Sequence, residues 1–149
     1  MDSPSSDHPG RPLVVLLDDE PRILASLVRL FRTEPLEALA TECPDEALEW
    51  IRTREVRMVI ADYRMPEIDG VRFLEGVRDL SPQVVRLMIT GYPDESMVVD
   101  CRRRGLLEVI PKPWNNDQLK RLVLHRLSGR RSESPSICLG AREPSPAAP

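Results

Sequence analysis

Five short aliphatic runs punctuate the chain, and each is followed by a polar turn and then by apolar residues at helical spacing. That alternation constrains the fold more than any other feature, because successive βα units imply a parallel sheet with right-handed crossovers and helices on both faces. Leu13 to Leu17 is apolar throughout, as a strand buried on both faces requires. It stops at Asp18-Asp19-Glu20-Pro21, where Pro21 suits a first helical turn, and Ile23, Leu24, Leu27, Leu30 and Phe31 then recur at helical spacing to about Arg32. Leu36 to Thr41 is a weaker strand, Pro44 to about Thr53 a short amphipathic helix, and Val56 to Ala61 a third strand that again ends at an acid, Asp62. Pro66 and the Asp69-Gly70 pair mark a loop over 63–70, and a helix is expected from about Val71 to Leu80. Val84 to Ile89 is the fourth strand, ending at Thr90-Gly91, and the helix from Pro93 to about Arg104 is stopped by Gly105. Leu107 to Ile110 is the fifth strand, and Asn115 or Asn116 caps a last helix with Leu119, Leu122, Val123 and Leu127 on one face. The expected fold class is α/β, a doubly wound five-stranded parallel sheet.

The chain has 149 residues, 41% of them hydrophobic, enough for one domain with a real core. Of its 15 prolines, Pro4, Pro9 and Pro12 stand at the start and Pro135, Pro144, Pro146 and Pro149 at the end, among serines and alanines. Residues 1–11 and 128–149 are therefore expected to be disordered tails flanking a single domain over 12–127. The longest uninterrupted aliphatic run is Leu13 to Leu17, far short of a membrane span, and Met1 to Gly10 lacks the apolar stretch of a signal peptide. A cytoplasmic location is expected. Cys43, Cys101 and Cys138 are odd in number and far apart, which suits reduced thiols better than disulfides or a zinc site. Of the 21 basic residues only Lys112 and Lys120 are lysines, and they are scattered among 24 acids for a net charge of -3, so direct nucleic-acid binding is not expected.

In open parallel sheets, ligands bind beyond the carboxyl ends of the strands at the point where strand order reverses. The residues just past those ends are Asp18 and Asp19, then Asp62, Thr90 and Lys112. Three carboxylates brought together repel one another unless protonated or neutralised, so the set calls for a cation, and oxygen-only ligands suit Mg²⁺. A hydroxyl and an ammonium opposite the metal are what a transferred phosphoryl group requires. One carboxylate can itself act as nucleophile and form an aspartyl phosphate.

Four motifs, Asp18-Asp19-Glu20-Pro21, Val59-Ile-Ala-Asp62-Tyr-Arg-Met-Pro66 with Asp69-Gly70, Met88-Ile-Thr90-Gly91 and Pro111-Lys112-Pro113-Trp114, occur in order after successive strands. With them the chain, over about residues 12 to 127, resembles the receiver domain of two-component response regulators. The resemblance implies a flavodoxin-like strand order, 2-1-3-4-5. It implies Asp62 as phosphoacceptor, Thr90 as the hydroxyl that moves towards the phosphoryl group, Lys112 as the ion-pairing lysine, and a cis bond before Pro113. It further implies Mg²⁺ held by Asp18, Asp19, Asp62 and the backbone carbonyl of Arg64. A histidine kinase or phosphotransfer protein would be the donor, with a downstream protein as target. The fourth helix, fifth strand and fifth helix would form the output face, also a surface for a homodimer. Arg64 and Tyr92 stand where side chains flank the phosphoryl group in this family. One position departs from the pattern: three residues before the lysine the family usually carries Tyr or Phe, and here stands Val109.

Plainer readings sit beside these. Asp18-Asp19-Glu20 could simply cap a helix, Asp69-Gly70 is mainly a turn, and Arg102-Arg103-Arg104 complements a helix dipole without any ligand. Trp50 and Trp114 read as packing residues. The expected function is a stand-alone phosphorylation-dependent switch that phosphorylates and dephosphorylates itself rather than a turnover enzyme. The alternative is a pseudo-receiver, a constitutive interaction module with a broken switch, as Val109 suggests. A metal-dependent phosphatase of small substrates is a third reading, weakened because no cap insertion interrupts the domain.

Overall fold

The structure is a computed structural model that describes residues 10–66, 68–91, 94–105 and 108–128. Strands and helices alternate in the order β1 (Leu13–Leu17), α1 (Pro21–Phe31), β2 (Glu37–Thr41), α2 (Pro44–Thr53), β3 (Val56–Asp62), α3 (Gly70–Leu80), β4 (Val85–Thr90), α4 (Glu95–Arg103), β5 (Glu108–Pro111) and α5 (Asn116–Leu127). All neighbouring strands pair in parallel, in the spatial order β2-β1-β3-β4-β5. This is the doubly wound sheet that the alternation predicts.

Each strand contributes to two cores, because successive side chains point to opposite faces. Val15, Leu17, Val59, Ala61, Met88 and Val109 pack with Ala47, Ile51, Phe73, Leu74, Val77 and Cys101 from α2, α3 and α4. Val14, Leu16, Met58, Ile60, Leu87, Ile89 and Ile110 pack on the other face with Leu24, Leu27 and Phe31 of α1 and with Leu119, Leu122, Val123 and Leu127 of α5. Burial on both faces explains why β1 and β3 read as nearly continuous apolar runs.

Three helix starts share one device. Asp69, Asp94 and Asn115 each accept a hydrogen bond from the backbone N–H three residues on, at 2.9 Å, satisfying one of the donors that a helix start leaves over. The Asp69-Gly70 pair is thus a helix cap and first helical residue rather than mainly a turn, and α4 starts at Glu95 behind the Asp94 cap rather than at Pro93. Asn115, not Asn116, caps α5. Glu20, by contrast, precedes α1 with no side-chain cap bond. Gly105 ends the α4 turn at φ +89°, a left-handed conformation that glycine adopts without strain.

A buried arginine ties that turn to the sheet. Arg86 on β4 donates to the carbonyls of Pro82 at 3.1 Å, Val84 at 3.0 Å and Gly105 at 2.9 Å. Arg78 of α3 donates to the carbonyl of Arg104 at 2.7 Å. Arg102 and Arg103 occupy the last turn of α4, where cations suit the dipole, while Arg104 ion-pairs with Glu75 at 3.0 Å and Asp100 at 3.1 Å. Trp50 and Trp114 pack against the two cores, as expected. The proposed tails lie almost wholly outside the described residues, as do Pro93, Leu107 and Tyr92. Among the described residues no helix is long and apolar enough to cross a membrane.

Candidate functional site

Register gathers the site. Leu17 pairs with Ala61, Asp62 with Ile89 and Thr90 with Pro111, so Asp18, Asp62, Thr90 and Lys112 emerge side by side at one edge of the sheet. The strand order reverses between β1 and β3, where Asp62 ends β3 and Asp18 and Asp19 directly follow β1. Two further backbone bonds stitch the rim: Tyr63 N–H donates to the Ile89 carbonyl at 2.9 Å and Lys112 N–H to the Thr90 carbonyl at 2.8 Å. The Lys112–Pro113 bond is cis, as expected.

Asp18, Asp19 and Asp62 each place a carboxylate oxygen within 4.8 Å of the other two. Asp18 and Asp62 are buried, at 2% and 6% exposure, whereas Asp19 opens to solvent. Lys112 reaches across the pocket, with Nζ 2.9 Å from Asp62 Oδ1 and 3.3 Å from Asp18 Oδ2. The remaining oxygen of Asp18 accepts from the Glu20 backbone N–H at 2.9 Å. The first acid of the Asp-Asp-Glu run is therefore turned into the pocket, and none of the run's side chains caps α1.

One ammonium does not neutralise three carboxylates. Burial pushes the Asp18 carboxyl up to about 6 from its ordinary 3.8; the Glu20 N–H opposes this, and the Asp62 charge adds to it. Burial also raises Asp62, against the pull of Lys112 and with the Asp19 charge adding to the rise. Burial works to lower Lys112, but its bonds and charge attraction to Asp62 and Asp18 outweigh that and hold the ammonium above its usual value. Within the triad, three carboxylates thus share the Lys112 ammonium, and burial holds two of them above their ordinary pKa.

Thr90 is buried at 3% at the end of β4. Arg64 is exposed and lines two clefts, one of about 600 Å³ with Tyr63, Val71, Thr90 and Met97, and one of about 480 Å³ with Asp19, Met65 and Asp69. Tyr92, expected beside Arg64 at the mouth, lies outside the described residues. Val109 is 4% exposed, packed in the same core as Cys101 of α4.

The response regulator receiver domain family matches residues 14–124. The chain belongs to that family. Among curated relatives, the hydrogenase transcriptional regulatory protein HoxA of Cupriavidus necator is 36% identical over 107 residues, covering 71% of this chain and 22% of the relative. The DNA-binding transcriptional regulator NtrC of Klebsiella pneumoniae is 25% identical over 118 residues, covering 79% of this chain and 25% of the relative. The receiver chain thus spans about a quarter of the length of the curated relatives it matches. A CheY-like receiver domain protein from Methanospirillum hungatei superposes with a TM-score of 0.75 at 24% identity, covering 80% of this receiver chain and 95% of its own. An uncharacterized protein from Neptuniibacter caesariensis does so at 0.74 and 36% identity, covering 78% and 87%. Phosphorylation on an aspartate is typical of the receiver family in two-component systems.

Proposed function

We propose that this receiver is a phosphorylation-dependent switch in which Asp62 accepts a phosphoryl group from the phosphohistidine of a histidine kinase or phosphotransfer protein. The observation that carries the reading is the acid triad gathered around Lys112 at the carboxyl ends of the strands. In the transfer, a carboxylate oxygen of Asp62 forms a bond to phosphorus while the P–N bond breaks and the electron pair leaves with the imidazole nitrogen. Lys112 keeps its hold on Asp62 Oδ1, which leaves Oδ2 as the attacking atom. The Thr90 hydroxyl donates to a phosphoryl oxygen, and the Lys112 ammonium offsets the charge that the acyl phosphate adds.

The donor set fits a hard divalent cation, since three carboxylates converge and burial has already raised two of them. Asp18, Asp19, Asp62 and the Arg64 carbonyl would hold Mg²⁺. Bound there, it would supply charge neutralisation for the carboxylates and for the phosphoryl oxygens. Arg64 at the mouth pairs with a phosphoryl oxygen and hinders the in-line water that hydrolysis needs.

The pseudo-receiver reading has one observation in its favour, the small buried Val109 in place of an aromatic residue. One experiment separates the two: incubation with acetyl phosphate and Mg²⁺, followed by intact mass. A switch gains one phosphoryl mass, only with Mg²⁺, labile to hydroxylamine and absent in Asp62→Asn. No gain, or phosphate on a serine instead, overturns the proposal.

A further inference from the structure

Gly70 opens α3 directly against the backbone that carries Asp62. Its N–H donates to the Tyr63 carbonyl at 2.8 Å, and the Asp69 cap on the Arg72 N–H holds the start of the helix in place. A Cβ built at residue 70 would collide with the carbonyl oxygen of Asp62 and stand 2.9 Å from Tyr63 Cα and 3.1 Å from the Asp62 carbonyl carbon. All three are backbone atoms, so no side chain can swing aside, and the β3–α3 connection itself would have to move. Gly70 does not adopt a positive φ, unlike Gly10 and Gly105, so what residue 70 needs is space rather than conformational freedom. Gly76, in the same helix, has open space around it, so the crowding is particular to residue 70.

We propose that Gly70 is a positioning residue for the phosphoryl-acceptor site: the missing side chain lets α3 press on the Asp62 backbone and so sets Asp62 and the Arg64 carbonyl against Asp18 and Asp19. The inference rests on the proposed function above. The segment from Asp62 to Arg64 supplies one half of the proposed oxygen set, and the end of β1 supplies the other half. A collision behind Asp62 displaces only the first half. Mg²⁺ demands near-ideal octahedral geometry at short distances, so a shift of a few tenths of an ångström between the halves weakens its binding. A purely helical role for Gly70 predicts the opposite behaviour: alanine is the better helix former, so Gly70→Ala, like Gly76→Ala, would leave the pocket unchanged.

The test compares Gly70→Ala, Gly76→Ala and Asp69→Ala in the full chain. Mg²⁺ affinity is measured by calorimetry, folding by thermal unfolding in chelator, and phosphoryl uptake from acetyl phosphate across Mg²⁺ concentrations. Gly70→Ala weakens Mg²⁺ binding about tenfold, the scale seen when groups that orient metal ligands are disturbed. Gly76→Ala stays within about twofold of wild type. Asp69→Ala loosens the helix start without adding atoms and weakens binding about threefold, an effect that stands even if Gly70→Ala fails to fold. A folded Gly70→Ala with wild-type Mg²⁺ affinity overturns the inference, as does an unchanged affinity in Asp69→Ala. A wild-type chain that binds no Mg²⁺ and takes up no phosphoryl group overturns the proposed function instead.

Discussion

Removing a carboxylate from the pocket should stabilise the metal-free protein. Asp18 is 2% exposed and its carboxyl is pushed up to about 6 from 3.8, a rise of about 2 pH units. At 1.36 kcal/mol per unit, that corresponds to about 3 kcal/mol of disfavoured ionisation at neutral pH. Asp18→Asn relieves it while keeping an oxygen to accept from the Glu20 N–H; the value of about 6 already includes the pull of Lys112 3.3 Å away, and the cost of burying the amide NH₂ offsets part of the gain. The net gain is expected at about 1 kcal/mol, or roughly 0.5 M in a urea midpoint for a domain of this size. Proton linkage gives the sign with pH. Between about 4 and 6 the folded wild type binds a proton at Asp18 and the unfolded chain does not, so this residue's contribution to stability rises as pH falls. Asparagine does not titrate, so the variant's advantage is full at pH 7.5 and fades towards pH 4. Mg²⁺ reverses the order. At ten times its dissociation constant the metal stabilises wild type by about 1.4 kcal/mol, and the variant gains much less. Urea unfolding in chelator and in Mg²⁺ across this pH range reads all three effects. A variant less stable than wild type in chelator at pH 7.5, or an advantage that grows as pH falls, refutes the reasoning.

Lys112→Ala strips two buried carboxylates of their shared cation and should destabilise the metal-free fold by about 2–4 kcal/mol at pH 7.5. Denaturant unfolding should show the loss shrinking as pH falls and the acids protonate; a loss independent of pH contradicts the assignment. Arg86→Met removes three guanidinium–carbonyl bonds, two to the α3–β4 connection and one to Gly105 after α4, and is expected to lower stability by about 2–4 kcal/mol. A change below about 0.5 kcal/mol would mean that the burial of the cation cancels those bonds. Arg64→Ala should shorten the lifetime of the phosphorylated protein, followed by intact mass after the donor is removed, and equal decay rates sink the shielding role of Arg64.

Strand ends were legible in the sequence because burial on both faces forces continuous apolar runs, so the first polar residue after each run must lie at the sheet edge. Asp18, Asp62 and Thr90 follow from that logic alone, and the parallel register then carries Lys112 to the same edge. The division of labour within Asp18-Asp19-Glu20 was not legible. Three consecutive acids before a helix look like caps, and only the backbone shows Asp18 turned inward on the Glu20 N–H while α1 starts without a side-chain cap. The start of α4 is ambiguous in the sequence for a related reason: Pro93 and Asp94 are both good helix openers, and the hydrogen bond from the Met97 N–H to Asp94 makes Asp94 the cap. Gly70 shows the same limit most clearly. Composition marks an Asp-Gly pair as a turn, yet no periodicity reports that the helix behind it touches the backbone of the candidate acceptor. Side-chain pattern encodes which face of an element is buried, and backbone approach is encoded only by what a residue lacks. A site held by backbone approach is therefore read from sequence as a list of residues, and its geometry comes from the neighbours that leave room for it.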